Sequence, residues 1–223
     1  MRIDHVIVGS RRLTDIRELL WDVHGFGLVE GSAHEDGTQG WLVPFDTPHV
    51  QYLEVLVPGD TARLGQDAFG RRFLEATAEG PAFLGWAVHA EEIEKDAARV
   101  AELTGADAEL LQGESVRADG RRFPWAEAAF ALAGQRPSRP FFLRYGNWPG
   151  RRERVPGDLV RAAHRVTPLH YRALTVCGPA DPGLSAWCGG APLPVEWRQA
   201  GREGVLAVRV ATSQGDADLE LPC

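Results

Sequence analysis

The sequence predicts an α+β fold built from repeated β-α-β-β(-β) units. Three observations predict it: an apolar strand near the start, an amphipathic helix stopped by glycine after it, and the return of that order about 80 residues later.

The first strand is Arg2-Ile3-Asp4-His5-Val6-Ile7-Val8. Arg12 to His24 then reads as a helix, because Leu13, Ile16, Leu19, Leu20 and Val23 follow the i, i+3, i+4, i+7 spacing of one buried face. Gly25 ends it as a C′ glycine. Gly40 to Asp46 gives a second strand, a turn at Asp46-Thr47-Pro48 follows, and Gln51 to Val57 gives a third. These elements form a first module over residues 1–58.

A Gly/Pro-marked linker and a helical stretch, Arg63 to Ala78, lead to a second module over residues 82–148. It opens with the strand Phe83 to His89. Its helix, Glu91 to Thr104, places Ile93, Ala97, Val100 and Leu103 on one face, carries acids at its start, and stops at Gly105. Strands are expected at Gly113–Arg117, Phe123–Leu132 and Pro140–Tyr145. The helix anchors Leu13 and Ile93 lie 80 residues apart, a repeat of pattern and not of residue identity.

Residues 149–223 read as a linker followed by a βαββ-like extension, a degenerate third module. Gly146 to Leu169, with Pro149, Gly150, Pro156 and Gly157, reads as connector. Tyr171–Cys177 reads as a strand, Asp181–Cys188 as a short helix, and Val195–Gln199 with Val205–Ala211 as a hairpin.

Composition bounds the function. The chain has 223 residues, 24 Lys and Arg against 31 Asp and Glu, and a net charge of −7. An acidic surface argues against nucleic acid and anionic membrane as partners. No apolar run approaches the roughly 20 residues of a membrane helix. Three cysteines, Cys177, Cys188 and Cys223, make neither a disulfide framework nor a CxxC metal knot. Met1 leads directly into the first strand, leaving no room for a signal peptide. A reduced, cytoplasmic protein with a small-molecule ligand is expected. A homodimer is compatible with the sequence. GxGxxG, P-loop, HExxH and GxSxG patterns are absent.

His5 on the first strand and Glu54 on the last strand of the first module make half of a known metal-site layout. At this point the chain resembles the vicinal-oxygen-chelate superfamily, and more narrowly the glyoxalase-like domain family found in many bacterial proteins. The resemblance rests on Ile3-Asp4-His5-Val6-Ile7-Val8, Gly25-Phe26, His34 through Phe45, and Tyr52-Leu53-Glu54-Val55-Leu56. The second module adds Asp119-Gly120-Arg121-Arg122-Phe123-Pro124-Trp125 and Pro140-Phe141-Phe142-Leu143. It covers residues 1–148 well and the remainder loosely. It implies paired βαβββ modules whose curved mixed sheets enclose a cleft. In metal-using relatives, ligands on the first and last strands of each module hold a divalent ion that chelates the substrate.

On that resemblance His5 and Glu54 are the metal-ligand candidates, for Zn, Mn, Fe or Ni, and catalytic candidates together with His34. The second module departs from the pattern. The position matching His5 falls at Gly85 or Trp86, and the position matching Glu54 is expected at Arg144. A divalent cofactor on a lyase, isomerase or dioxygenase is therefore one expectation. The other is a metal-free binder, such as a drug-sequestering or ligand-sensing protein, in which Arg144 pairs with Glu54 or anchors an anionic ligand. Thr38, Gln39, Trp41, Trp86 and Arg144 are the substrate-binding candidates; Trp125, Phe123 and Tyr145 are further aromatic candidates for the cleft wall. His34 has a blander reading as a solvated loop histidine, His5 as a hydrogen-bonded strand histidine, and His89 is expected to face away.

Overall fold

The structure is a computed structural model that describes residues 1–116 and 120–221. Arg117, at the end of an expected strand, Asp119 of the second-module motif and Cys223 lie outside the described residues.

Eight strands form one mixed sheet: β1 (Arg2–Gly9), β2 (Val29–Ala33), β3 (Thr38–Pro44), β4 (Tyr52–Pro58), β5 (Ala82–His89), β6 (Leu111–Val116), β7 (Arg122–Ala128) and β8 (Phe141–Tyr145). Their order is β2-β3-β4-β1-β5-β8-β7-β6. β1 pairs parallel with β4, β5 pairs parallel with β8, and β1 and β5 meet antiparallel at the centre. Each half is thus a βαβββ unit, as expected. The sheet curls until its edges approach: the Ser32 hydroxyl on β2 donates to the Val116 carbonyl on β6 at 3.2 Å. One face becomes the interior of a nearly closed barrel, and at eight strands such an interior is only wide enough for side chains and one small ligand.

Cross-strand partners share a face, so register fixes what points inward. His5 is opposite Tyr52 and Ala87, Ile7 is opposite Glu54, and Ala87 is opposite Phe141. A bulge at Asp4 breaks the alternation on β1, pairing Ile3 with Val88 and His5 with Ala87. Two successive residues, Asp4 and His5, therefore share the inner side.

The outer face carries the main core. Val6, Val8, Val55, Trp86 and Val88 pack there with Ile16 and Leu20 of the first helical segment and with Ile93 and Val100 of α3 (Ile93–Thr104). The first helix is α1 (Leu13–Glu18), continued by a π-helical turn over Leu19–Val23. That extra residue per turn rotates Val23 into solvent, where it is 70% exposed, so the expected fifth anchor is not one. α2 (Ala68–Ala76) lies within the expected 63–78 stretch, capped by the Asp67 side chain. α4 (Phe130–Gln135) ends the strand expected to run to Leu132 at Ala128 instead. Helices α2 and α4 pack over one end of the barrel interior through Phe73, Phe69 and Phe130 against Phe141 and Leu143.

The expected connector is a helix, α5 (Trp148–Ala162). Its two prolines do not prevent it. Pro149 sits in the first turn, where no amide hydrogen is needed, and the Asn147 side chain caps the Gly150 N–H at 3.0 Å. A Cβ at Gly27 would overlap the Ala162 carbonyl, so glycine is required for α5 to lie this close.

The C-terminal part is a second sheet, ordered β10-β9-β11-β12, from β9 (Pro168–Gly178), β10 (Val195–Gln199), β11 (Gly204–Thr212) and β12 (Gly215–Glu220), with the short α6 (Leu184–Trp187). The expected hairpin of β10 with β11 is not formed. The two strands flank β9, β10 parallel and β11 antiparallel to it, and the true hairpin is β11–β12. This sheet adds Leu174, Val176, Val208, Val210 and Leu219 to the main core. No helix among the described residues is long and apolar enough to cross a membrane.

Candidate functional site

The interior chemistry starts from β1. His5 and Asp4 are 3% and 1% exposed. Asp4 Oδ1 lies 2.9 Å from His5 Nδ1 and accepts from the Tyr145 hydroxyl at 3.1 Å. Burial pushes the Asp4 carboxyl up, but Arg151 and His5 outweigh it and hold it below the usual carboxylate value. An ionised carboxylate only accepts, which places the ring proton of neutral His5 on Nδ1 and leaves Nε2 as an acceptor. Nε2 is buried and makes no hydrogen bond; Glu54 Oε2 lies 3.3 Å away but out of line.

Glu54 stands between two imidazoles. Its other oxygen is 3.8 Å from His34 Nε2, and His34 Nδ1 contacts the Thr38 hydroxyl at 3.2 Å. The His34 side chain is one-third exposed and marks the mouth. A Cβ at Gly40 would lie 3.4 Å from His34 Nε2 and 3.6 Å from Glu54 Oε1, so the glycine keeps that gap open. Tyr52 stacks on the His5 ring at 4.8 Å, and Phe141 meets its edge at 5.7 Å.

Helix α5 closes the far end. The Arg151 guanidinium carbon lies over the Tyr145 ring, 3.2 Å from its centroid, with Nη1 3.7 Å from Asp4 Oδ2. Burial works against its charge, but Tyr145 and Asp4 outweigh that and raise its pKa. His89 does not face away: it sits beside Tyr145 and Trp148 on this inner side, 8% exposed. Burial, with Arg2 adding to it, lowers its pKa to about 4.

The structure therefore brings together His5, Glu54, His34 and Thr38. It does not bring the other candidates to them. Gln39 and Trp41 lie opposite Val57 and Val55, on the outer face of β3, and Arg17 stacks over the Trp41 ring. Trp86 is fully buried in the main core, its indole N–H donating to the Ser138 carbonyl. Arg144 forms a two-pronged pair with Glu94, both bonds 2.7 Å, so the expected Arg144–Glu54 pair is absent. The register gives the reason. Gly85 is opposite Ile7 as Ala87 is opposite His5, so Gly85 matches His5, and Phe141 matches Glu54.

Three residues missed in the sequence belong to the interior: Asp4, Arg151 and Glu127. Glu127 shares the inner face of β7 with Trp125 and Phe123, opposite Leu143. Burial lifts its carboxyl to about 7, with His5 opposing and Glu54 reinforcing the shift. The alternation Phe123, Trp125, Glu127 was a readable signal for this acid.

His5, Glu54 and His34 have the donor chemistry of a divalent site. As arranged, they fall short of a complete three- or four-ligand site. The matching second-module positions, Gly85 and Phe141, carry no ligand, and no group of three or more His, Cys, Asp or Glu among the described residues is placed to hold an ion.

Two βαβββ modules curl around an interior acid–base cluster, the layout expected of a glyoxalase-like domain. The sequence matches the glyoxalase-like domain over residues 3–188, and the chain belongs to that family. No curated protein matches it. Among solved structures it is similar to a hypothetical protein from Staphylococcus aureus, 15% identical with a TM-score of 0.64, over 92% of this chain and 87% of that one. More distant similarities are a Streptomyces coelicolor methylmalonyl-CoA epimerase variant in complex with 2-nitronate-propionyl-CoA (16%, TM-score 0.44, 65% of this chain and 93% of that one) and the Mycobacterium tuberculosis methylmalonyl-CoA epimerase (18%, TM-score 0.41, 64% and 85%).

Proposed function

We propose that the chain binds a small organic molecule in the barrel interior and moves a proton on it. Glu54 and His5 Nε2 act as the acceptor pair, and His34 contacts the molecule at the mouth. One observation carries this reading: a buried imidazole nitrogen, its partner nitrogen fixed by Asp4, left without a hydrogen bond beside a partly exposed carboxylate. Such an atom is costly to keep unless a ligand completes it. Fixing the other ring nitrogen with a carboxylate is how enzymes orient a catalytic histidine. The aromatic walls, Tyr52 and Phe141, suit an organic body.

A screen of small carbonyl compounds by thermal shift, followed by proton NMR in deuterated solvent, tests the reading. Solvent deuterium is expected to enter a bound compound beside its carbonyl, and Glu54→Gln is expected to bind the compound without exchange. No exchange in the wild type overturns proton transfer and leaves metal-free capture; exchange in Glu54→Gln equal to the wild type overturns Glu54 as the acceptor. The same nitrogen supports a second reading, a divalent ion on His5 and Glu54. Elemental analysis after loading with Ni, Zn, Mn and Fe(II) decides it: one ion per chain, lost in His5→Ala, establishes it.

A further inference from the structure

Arg72, on α2, lacks the carboxylate partner that several other arginines have. Arg151 has Asp4, Arg136 has Glu203, and Arg144 has Glu94. No carboxylate among the described residues pairs with Arg72. Its Nε is sealed from solvent without a hydrogen bond, and burial alone depresses its pKa. A desolvated cation without a counter-charge is a cost to the fold.

The surroundings make room for the charge. The guanidinium lies over the Phe69 ring, 5.2 Å from its centroid. On the facing helix, α4, a Cβ at Gly134 would collide with Arg72 Nη1 and Cζ. Gly134 does not have a left-handed φ, so the backbone does not demand glycine there; the missing side chain leaves the space the guanidinium occupies. A row of rings then leads to the site. Phe69 meets Phe130 at 5.4 Å, Phe130 meets Phe141 at 5.0 Å, and Phe141 meets His5 at 5.7 Å.

We propose that Arg72, seated over Phe69 in the space left by Gly134, is the anchor for an oxyanion, a carboxylate or phosphate borne by the bound molecule. Arginine's planar fork matches either group with two charge-assisted hydrogen bonds. The anchor itself stands on Arg72 alone. Its assignment as the distal end of the molecule whose reactive end meets His5 and Glu54 rests on the reading given under Proposed function.

Titration of the full-length protein with inorganic phosphate and, separately, acetate tests the anchor, followed by calorimetry and by the arginine Nε–H signals in NMR. Phosphate is expected to bind and move the Arg72 signal. Arg72→Met is expected to remove the response while leaving the ligand-free protein at least as stable as the wild type. Gly134→Ala, which fills the space, is expected to weaken phosphate about tenfold, the scale of one charge-assisted contact. A response to acetate as well assigns both oxyanions; a response to phosphate alone assigns phosphate. No response to either, or a response that survives Arg72→Met, overturns the anchor. Loss of ligand-free stability in Arg72→Met with no anion binding makes Arg72 structural and also overturns it. Glu54→Gln separates the two proposals: if it abolishes deuterium exchange yet keeps the phosphate response, both hold. If exchange is unaffected and phosphate still binds, only the reading of the His5–Glu54 site fails.

Discussion

His5 Nε2 and Glu54 Oε2 face each other at 3.3 Å with no hydrogen bond between them. With Asp4 holding the other ring nitrogen, two acceptors confront each other whenever the imidazole is neutral. Keeping such a pair costs stability, which the proposed proton transfer would explain. Replacing Glu54 by Gln supplies an amide N–H that can donate to Nε2. Glu54→Gln is expected to raise unfolding free energy by about 1 kcal/mol in urea titration while losing ligand turnover. A variant less stable than wild type contradicts this.

The Asp4–Arg151 contact behaves differently. Both groups are buried and each carries an atom without a hydrogen bond. Removing one charge strands the other, so Arg151→Met and Asp4→Asn are each expected to cost about 3 kcal/mol or more. The double variant is expected to cost less than their sum, and a double-mutant cycle measures the coupling.

Two interior groups titrate in opposing senses. The carboxyl of Glu127 is raised by burial to about 7, so the folded state holds a proton that the unfolded chain releases near its ordinary value of 4.5. Its contribution is present at low pH and lost as pH rises through about 7. Glu127→Gln is expected to remove that loss, on the order of 3 kcal/mol at most. Unfolding titrations at pH 5 and pH 8 compare the slopes.

His89 runs the other way. Burial lowers its folded pKa from 6.5 to about 4, so its contribution is present above 6.5 and lost as pH falls toward 4. Between about 4.5 and 6.5 the two groups offset each other in the wild type. His89→Gln is expected to expose the Glu127 slope in that window, as falling stability with rising pH. A flat profile in both single variants excludes the pair as the cause.

The hydroxyl of Tyr171 on β9 accepts from the Val6 N–H at 3.0 Å and donates to the Tyr52 carbonyl at 2.5 Å, at the point where β1 and β4 begin to pair. Tyr171→Phe leaves both backbone groups buried without partners and is expected to cost about 1–3 kcal/mol in chemical denaturation.

The modules were legible because each helix carries an apolar stripe and a glycine stop, and β1 and β4 are mostly apolar runs. His5 and Glu54 were legible from their places on those strands. Arg144 was not, because matching by position along a strand ignores register: β8 enters the sheet with Phe141, not Arg144, in the place of Glu54. Helix α5 was hidden by Pro149, Gly150, Pro156 and Gly157, and with it Arg151. The β10–β11 hairpin was misread because local turn chemistry does not show that β9 lies between the strands. Asp4 was hidden by the bulge, since strict alternation would send it to the opposite face from His5.

The Tyr171 tie has a consequence for synthesis. Val6 and Tyr171 are 165 positions apart in the chain, and Arg151 reaches back to Asp4 across a comparable span. As the chain leaves the ribosome, both modules can be complete while the seam between β1 and β4 still lacks its hydroxyl and Asp4 its counter-charge. Competence therefore comes late, when α5 has brought Arg151 and β9 then docks Tyr171. A nascent chain stalled before that strand carries a sheet that has folded and a site that has not.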